Sequence, residues 1–291
     1  MTFGSNYIHL SNLENKGGNM ILNLKYSSLV IAFIGIFFGV SDARSQINEK
    51  ELINYAYEST YKPEESGKVF ITNANILTGQ GNSILDASIL IDQNKIVAVG
   101  KDLDSSDATV IDAEGKWVTP GIIDIHSHMG VYPAPSLRSN SDGNEATSPT
   151  TPHVWAEHSV WTQDPQYTLA LKGGITSFHV LVGSANLIGG RGVTLKNVRS
   201  RTVQGMKFPN APYSLKMACG ENPKRVYGGR NSEPSTRMGN VAGYRDAWIE
   251  AEEYLRSLKE YAETPDEDKE PSDRPSRDLG LETMIGVLSG D

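Results

Sequence analysis

A short apolar segment that ends in two closely spaced histidines constrains this chain more than any other feature. Residues 119–128 read Thr-Pro-Gly-Ile-Ile-Asp-Ile-His-Ser-His, and the β-branched isoleucines are typical of a strand buried on both faces. Side chains alternate along a strand with a period of two, so His126 and His128 share one face. The pattern therefore predicts two imidazoles side by side at the C-terminal end of a buried strand. Neutral imidazoles in that position can form two legs of a divalent metal site.

The residues before this segment predict a small β-rich unit. Short apolar stretches alternate with turn residues such as those at 79–82 and 93–95, a spacing that favours a sandwich of short strands. The predicted strands are 69–78, 88–92, 96–100 and 109–112.

After Thr119 the pattern changes to longer units in which a strand is followed by a helix, and this alternation favours a parallel sheet. A complete (β/α)₈ barrel needs about 250 residues, more than the residues after 119 supply, so only its N-terminal part is expected. Predicted strands lie at 175–182 and 214–219, and predicted helices at 163–171, 244–262 and 279–288.

The stretch Val-Thr-Pro-Gly-Ile-Ile-Asp-Ile-His-Ser-His resembles the first barrel strand of the amidohydrolase superfamily, in particular its imidazolonepropionase-like members. The resemblance runs from Val69 to the C-terminus and implies a TIM-like (β/α)₈ barrel, truncated here, after a small β-sandwich. The predicted division is an upstream extension and signal peptide at 1–43, a linker at 44–66, the sandwich at 67–118 and the incomplete barrel at 119–291.

The resemblance also implies an activity, namely metal-dependent hydrolysis of a carbon–nitrogen bond in a cyclic amide, an amide or a dipeptide-like substrate. The expected cofactor is a divalent metal ion, above all zinc, which activates water and polarises a carbonyl group. The proton-transfer aspartate and two further histidines are expected beyond residue 291, so this chain alone is expected to have little activity. The alternatives are an inactive fragment, a secreted non-catalytic binding domain of the same fold, or a membrane-tethered structural protein.

Lys216 and Glu221 are alternative candidates for a further metal ligand. Lys216 lies inside the apolar stretch Leu-Lys-Met-Ala, and burying an unpaired charge is costly. The resemblance implies that such a strand lysine can be carboxylated and bridge two metal ions, or that Glu221 bridges instead. The simpler alternatives are a snorkelling lysine at a sheet edge and a charge at a helix start or in a loop.

A glycine-rich segment at 184–192 is expected to form a loop on the active-site side of the barrel. Its backbone N–H groups can converge on an anion, and Arg191 can clamp a substrate carboxylate with two hydrogen bonds. The alternative is a glycine-rich turn between two strands.

The remaining histidines and the cysteine have simpler expected roles. His153 and His158 can line a substrate pocket, although ordering of their long loop is the more common use. His179 is expected to be a core or hydrogen-bonded histidine. Cys219 is expected to be packed at a strand end, and a single cysteine excludes an intrachain disulfide.

The composition and the N-terminal sequence limit the expected partners and the expected cellular location. The net charge of −8 comes with no lysine or arginine run, which argues against nucleic acid as a partner. A small-molecule substrate is what the resemblance implies. The apolar run at 29–40 follows Lys25 and precedes small residues that end at Ala43. This layout predicts a signal peptide at about 20–43 and export to the periplasm or the extracellular space, with an uncleaved anchor as the alternative.

Overall fold

A computed structural model describes residues 56–290 of this chain. The predicted signal peptide at 20–43 and the first part of the predicted linker lie outside the described residues. Within residues 56–290, none of the helices is both long and apolar enough to cross a membrane.

The predicted β-rich unit forms one mixed sheet in the described residues. Its order is β3-β2-β1-β4, and β5 also pairs with β1. One face is buried around Ile71, Ile76 and Ile89, while Val97 on β3 is 60% exposed. These strands by themselves do not make two layers, so the sandwich stays a prediction. The strands are β1 (Val69–Leu77), β2 (Ser83–Asp92), β3 (Lys95–Gly100), β4 (Thr109–Asp112) and β5 (Trp117–Val118).

The second sheet begins with the histidine-bearing strand and has the order β6-β7-β8-β9. Strands β6 and β7 are parallel, and helix α1 (Gln166–Lys172) lies between them in sequence, as predicted. The four strands are β6 (Ile122–Ser127), β7 (Ile175–Val180), β8 (Ile188–Lys196) and β9 (Ser214–Met217).

The prediction of a parallel sheet is wrong for β8, which runs antiparallel to both β7 and β9. Residues 181–187 are all that connect β7 to β8. A parallel connection needs a crossover of about a dozen residues or more, so this short link permits only an antiparallel neighbour. Strand β9 again runs in the direction of β6 and β7.

The glycine-rich segment is also not the predicted open loop, because Gly189, Gly190 and Gly192 lie within β8. A side chain on Gly190 would place its Cβ only 2.3 Å from the Val154 carbonyl oxygen. The glycines therefore let the loop before residue 155 lie directly against the strand, where Arg191 N–H donates to that same carbonyl oxygen at 2.8 Å.

Apolar side chains join the second sheet to the helices in two clusters. Phe178 and Val180 of β7 and Leu195 of β8 are fully buried, and Tyr167 of α1 stacks on Phe178 with ring centroids 5.3 Å apart. A second cluster joins Ile188 of β8 to the later helices. Those helices are α2 (Glu221–Gly228), α3 (Arg237–Glu263) and α4 (Leu279–Ser289).

Strand β6 differs from the expectation of a strand buried on both faces. Ile122 and Ile123 are each 52% exposed and Ile125 is 78% exposed. Within the described residues β6 pairs with β7 alone, so it is an edge strand. Burial on both faces requires neighbours that cover the strand, and residues 56–290 place none over these isoleucines.

Candidate functional site

The structure brings His126 and His128 together, as the period of two predicts. Their ring centroids are 5.3 Å apart and the ring planes meet at 77°. His126 is the exposed end of this pair and His128 is half-buried. The two imidazoles therefore lie on one side of the chain, at the C-terminal end of β6.

A backbone carbonyl fixes the orientation of His128. Its Nδ1 lies 2.9 Å from the carbonyl oxygen of Leu181, the residue that directly follows β7. Because a carbonyl oxygen only accepts, this contact assigns the proton to Nδ1 and leaves the Nε2 lone pair available. A hydrogen bond of this kind on the second nitrogen is the usual way in which proteins orient a metal-binding histidine.

Lys216 reaches the same place from β9, the strand at the other end of the sheet order. Its Nζ lies 3.3 Å from Nε2 of His126. The Lys216 ammonium lowers the pKa of His126, burial and His128 lower it further, and Asp124 opposes the shift. Burial also lowers the pKa of Lys216 itself. Both groups are thereby shifted towards their neutral forms, which are the forms that bind metal ions or react as nucleophiles.

Glu221, the rival of Lys216, lies at the first position of α2 with an exposed side chain. Its Oε1 is 3.8 Å from Nε of Arg225 on the same helix. Within residues 56–290 there is no group of three or more histidine, cysteine, aspartate or glutamate side chains placed to hold a metal ion. The described residues thus bring Lys216, and not Glu221, to the histidine pair.

The donor set fits two imidazole legs of a divalent ion and a third group from Lys216. One imidazole already has a free Nε2, and the other has a pKa below its usual range. A structural zinc ion takes four ligands and a catalytic one at least three from the protein. His126, His128 and Lys216 together supply the minimum of three protein ligands when Lys216 contributes an oxygen or nitrogen donor.

A buried aspartate that the sequence did not single out holds the loop after His128. Asp164 is 2% exposed. Its Oδ2 accepts from Gly130 N–H at 2.9 Å, and its Oδ1 accepts from Ala134 N–H at 3.3 Å and from Gln166 N–H at 3.0 Å. One carboxylate therefore ties this loop to the start of α1. The available signal was the Asp164-Pro165 pair within the start of the helix predicted at 163–171, since aspartate and proline are both common at helix starts.

Tyr132 is a second residue of the site that the sequence did not indicate. Its ring lies edge-on to His128 with centroids 5.7 Å apart. Its hydroxyl donates to Asn144 Oδ1 at 2.8 Å, and the Asn144 amide donates to buried Asn186 at 3.2 Å. These bonds join the loop after β6 to the loop after β7 and place an aromatic wall beside the histidine pair.

The structure does not support the predicted carboxylate clamp at Arg191. This side chain is buried, its Nη2 donates to Thr283 Oγ1 at 2.9 Å, and its guanidinium lies 4.2 Å from the Trp155 ring centroid. Burial lowers the pKa of Arg191. The guanidinium thus links β8 to α4 in the interior, away from an open loop.

The other candidates lie apart from the histidine pair. His158 stacks on Trp155 with centroids 5.8 Å apart, which fits loop ordering, and His153 is exposed. Cys219 is exposed, so the expectation of a packed cysteine is wrong, because the chain has already left β9 at Met217. His179 is hydrogen-bonded through both ring nitrogens, as expected.

Comparison with known proteins gives several similar chains, although no family model matches. The chain is 36% identical over 220 residues to a protein named amidohydrolase tasK from Hapsidospora irregularis, covering 66% of this chain and 22% of that protein. It is 31% identical over 121 residues to a 5-methylthioadenosine/S-adenosylhomocysteine deaminase from Thermococcus onnurineus (strain NA1), covering 38% of this chain and 27% of that protein.

One solved structure is similar over most of the chain. The crystal structure of an amidohydrolase from Thermotoga maritima MSB8 matches with a TM-score of 0.68 and 37% identity, over 76% of this chain and 55% of that chain. The chain therefore spans 22% to 55% of the lengths of these three relatives.

Proposed function

Because the chain belongs to the amidohydrolase superfamily, we propose that it supplies part of the metal site of a hydrolase that cleaves a carbon–nitrogen bond. The observation that supports this most directly is the contact of Lys216 Nζ with His126 Nε2 at 3.3 Å, beside His128. Two imidazoles from one strand and a lysine from another meet although β6 and β9 are not neighbours in the sheet.

In this proposal His126 and His128 hold a divalent metal ion, zinc in the first instance, and Lys216 provides a further ligand as its carbamate. When bound, such an ion supplies Lewis acidity that activates water and polarises a carbonyl group. The chain's own residues prepare the site for it. Leu181 fixes the ring of His128, and partial burial lowers the pKa of Lys216, which favours the neutral amine that can react with carbon dioxide.

The proposed substrates are small molecules with a cyclic amide, amide or dipeptide-like bond. Two relatives support this substrate class by their names. They are the deaminase described above and a dihydroorotase from Caldanaerobacter subterraneus subsp. tengcongensis, which is 37% identical over 87 residues, 29% of this chain and 20% of that protein. The edge-on Tyr132 ring would then form a wall of the substrate site next to His128. The proposal includes hydrolysis of such bonds by the whole protein and its export to the periplasm or the extracellular space.

Zinc binding tests the proposal without any assumption about substrate. Isothermal titration of the purified full chain with Zn²⁺ should show a site that His126→Ala and His128→Ala each weaken by at least about tenfold. Lys216→Ala should weaken it in bicarbonate-containing buffer. Glu221→Ala is the matched control, since this rival side chain is exposed, and it should change nothing. Equal losses for Glu221→Ala and His126→Ala would refute the assignment.

A further inference from the structure

His179 links three neighbouring strands of the second sheet through one imidazole ring. From its position on β7, its Nδ1 lies 2.9 Å from Thr194 Oγ1 on β8, the residue directly opposite in the register. Its Nε2 lies 2.6 Å from Ser214 Oγ, the first residue of β9. Strands β7 and β9 are not paired with each other, so this contact reaches across β8.

Gly192 of β8 makes that reach possible. A Cβ on this residue would lie 2.7 Å from Ser214 Oγ and 2.8 Å from His179 Nε2. Real Cβ atoms do not approach other atoms so closely, so any larger residue would push the imidazole and the hydroxyl apart. A glycine inside a strand often marks such a close approach. The sequence of β8 is thus adapted to let His179 meet Ser214.

The hydrogen bond between His179 and Ser214 lies close in the chain to two parts of the candidate site. Ser214 and Lys216 are two residues apart on β9, so their side chains emerge on the same face. On the other side of the site, His128 is held by Leu181 O, only two residues beyond His179 in the chain. One short stretch of chain therefore contacts both the histidine pair and the strand that contains Lys216.

The contact between Lys216 and His126 needs such support from elsewhere. When both groups are protonated they repel each other, and neither gains an ion pair from the other. Strand β9 has only four residues and, in the described part of the chain, pairs with β8 alone. A short strand of this kind does not by itself fix a long lysine side chain.

We propose that His179 is a positioning residue, whose bond to Ser214 holds β9 so that Lys216 Nζ stays within reach of His126 Nε2. The effect on metal binding rests on the proposed function, whereas the effect on the Lys216–His126 distance does not. His179 touches no substrate or metal ion in this account and acts only through Ser214.

Two substitutions of similar polarity separate positioning from general stability. The amide of glutamine can replace Nε2 and keep the bond to Ser214, whereas the shorter asparagine can replace only Nδ1 and keep the bond to Thr194. His179→Gln should leave zinc affinity within about threefold of the unaltered chain, and His179→Asn should weaken it by about tenfold or more, the usual size for loss of a supporting contact. Thr194→Val should leave zinc affinity unchanged.

Crystal structures of the two variants decide the proposal independently of zinc. The Lys216 Nζ–His126 Nε2 distance should stay near 3.3 Å in His179→Gln and lengthen in His179→Asn. If zinc binding proves insensitive to His126→Ala, the proposed function fails while this distance still tests His179. Equal distances and equal zinc affinities in the two variants would overturn the proposal. Should both fail to fold, Ser214→Ala removes the same bond from its other end and must lengthen the distance.

Discussion

Strands β6 and β7 are parallel neighbours with opposite degrees of burial. Phe178 and Val180 of β7 are fully buried, whereas Ile125 of β6, next to His126, is 78% exposed. The strand that presents the candidate ligands thus contributes little packing of its own. His128 is oriented instead by the carbonyl oxygen of Leu181, which directly follows the buried strand β7, while His126 contacts Lys216 of β9. The candidate ligands and the buried apolar side chains therefore lie mainly on different strands of one sheet.

The largest expected effect comes from truncating the packed strand. Phe178→Ala should lower the free energy of unfolding by about 3–5 kcal/mol, because it removes a fully buried ring that stacks on Tyr167. Ile125→Ala on the exposed strand should change it by no more than about 0.5 kcal/mol. Urea unfolding of both variants measures the difference. Similar losses in the two variants would mean that β6 is packed to the same extent as β7.

The loop after His128 should show an intermediate effect. Asp164→Ala leaves the buried N–H group of Gly130 and the partly buried N–H group of Ala134 without their acceptor and should cost about 1–3 kcal/mol. Zinc affinity should fall as well, since this loop continues directly from His128. Asp142→Ala, an exposed aspartate of the same loop, is the control and should be neutral. A stable Asp164→Ala protein with unchanged zinc affinity would show that the loop is held in another way.

The smallest expected effect is a pH dependence at His179. Burial lowers its pKa, so the unfolded chain takes up the proton more readily than the folded protein. The stability contributed by neutral His179 is then complete above its unfolded pKa of about 6.5 and is lost as the pH falls through the lower, folded pKa. Unfolding at pH 7.5 and 5.5 should show a smaller difference in His179→Gln than in the unaltered chain. An identical difference would exclude His179 as the source.

Local periodicity was enough to predict part of this molecule. The shared face of His126 and His128 follows from the two-residue period of a strand, and Lys216 was noticeable as a charge within an apolar stretch. The helix predicted at 244–262 lies within α3, and the one predicted at 279–288 within α4. In each case the relevant information lies within a few neighbouring residues.

Contacts between distant residues were not predictable in this way. His179 and Ser214 are 35 residues apart, and no local sequence pattern predicts their hydrogen bond. Arg191 was assigned to an open loop because the glycines around it also suit a loop. In the structure Gly190 instead allows Val154 to lie against β8. The exposure of β6 was missed because β-branched residues look alike whether or not a neighbouring strand covers them.

Zinc-edge anomalous diffraction from crystals of the full chain grown with Zn²⁺ tests the central claim most directly. The account predicts an anomalous peak at about 2.0–2.1 Å from one nitrogen of His126 and from Nε2 of His128, with Nδ1 of His128 still bonded to Leu181 O. The peak should lie within reach of Lys216. A peak that involves only other side chains, such as the exposed His153, with both site imidazoles free of metal, would contradict it.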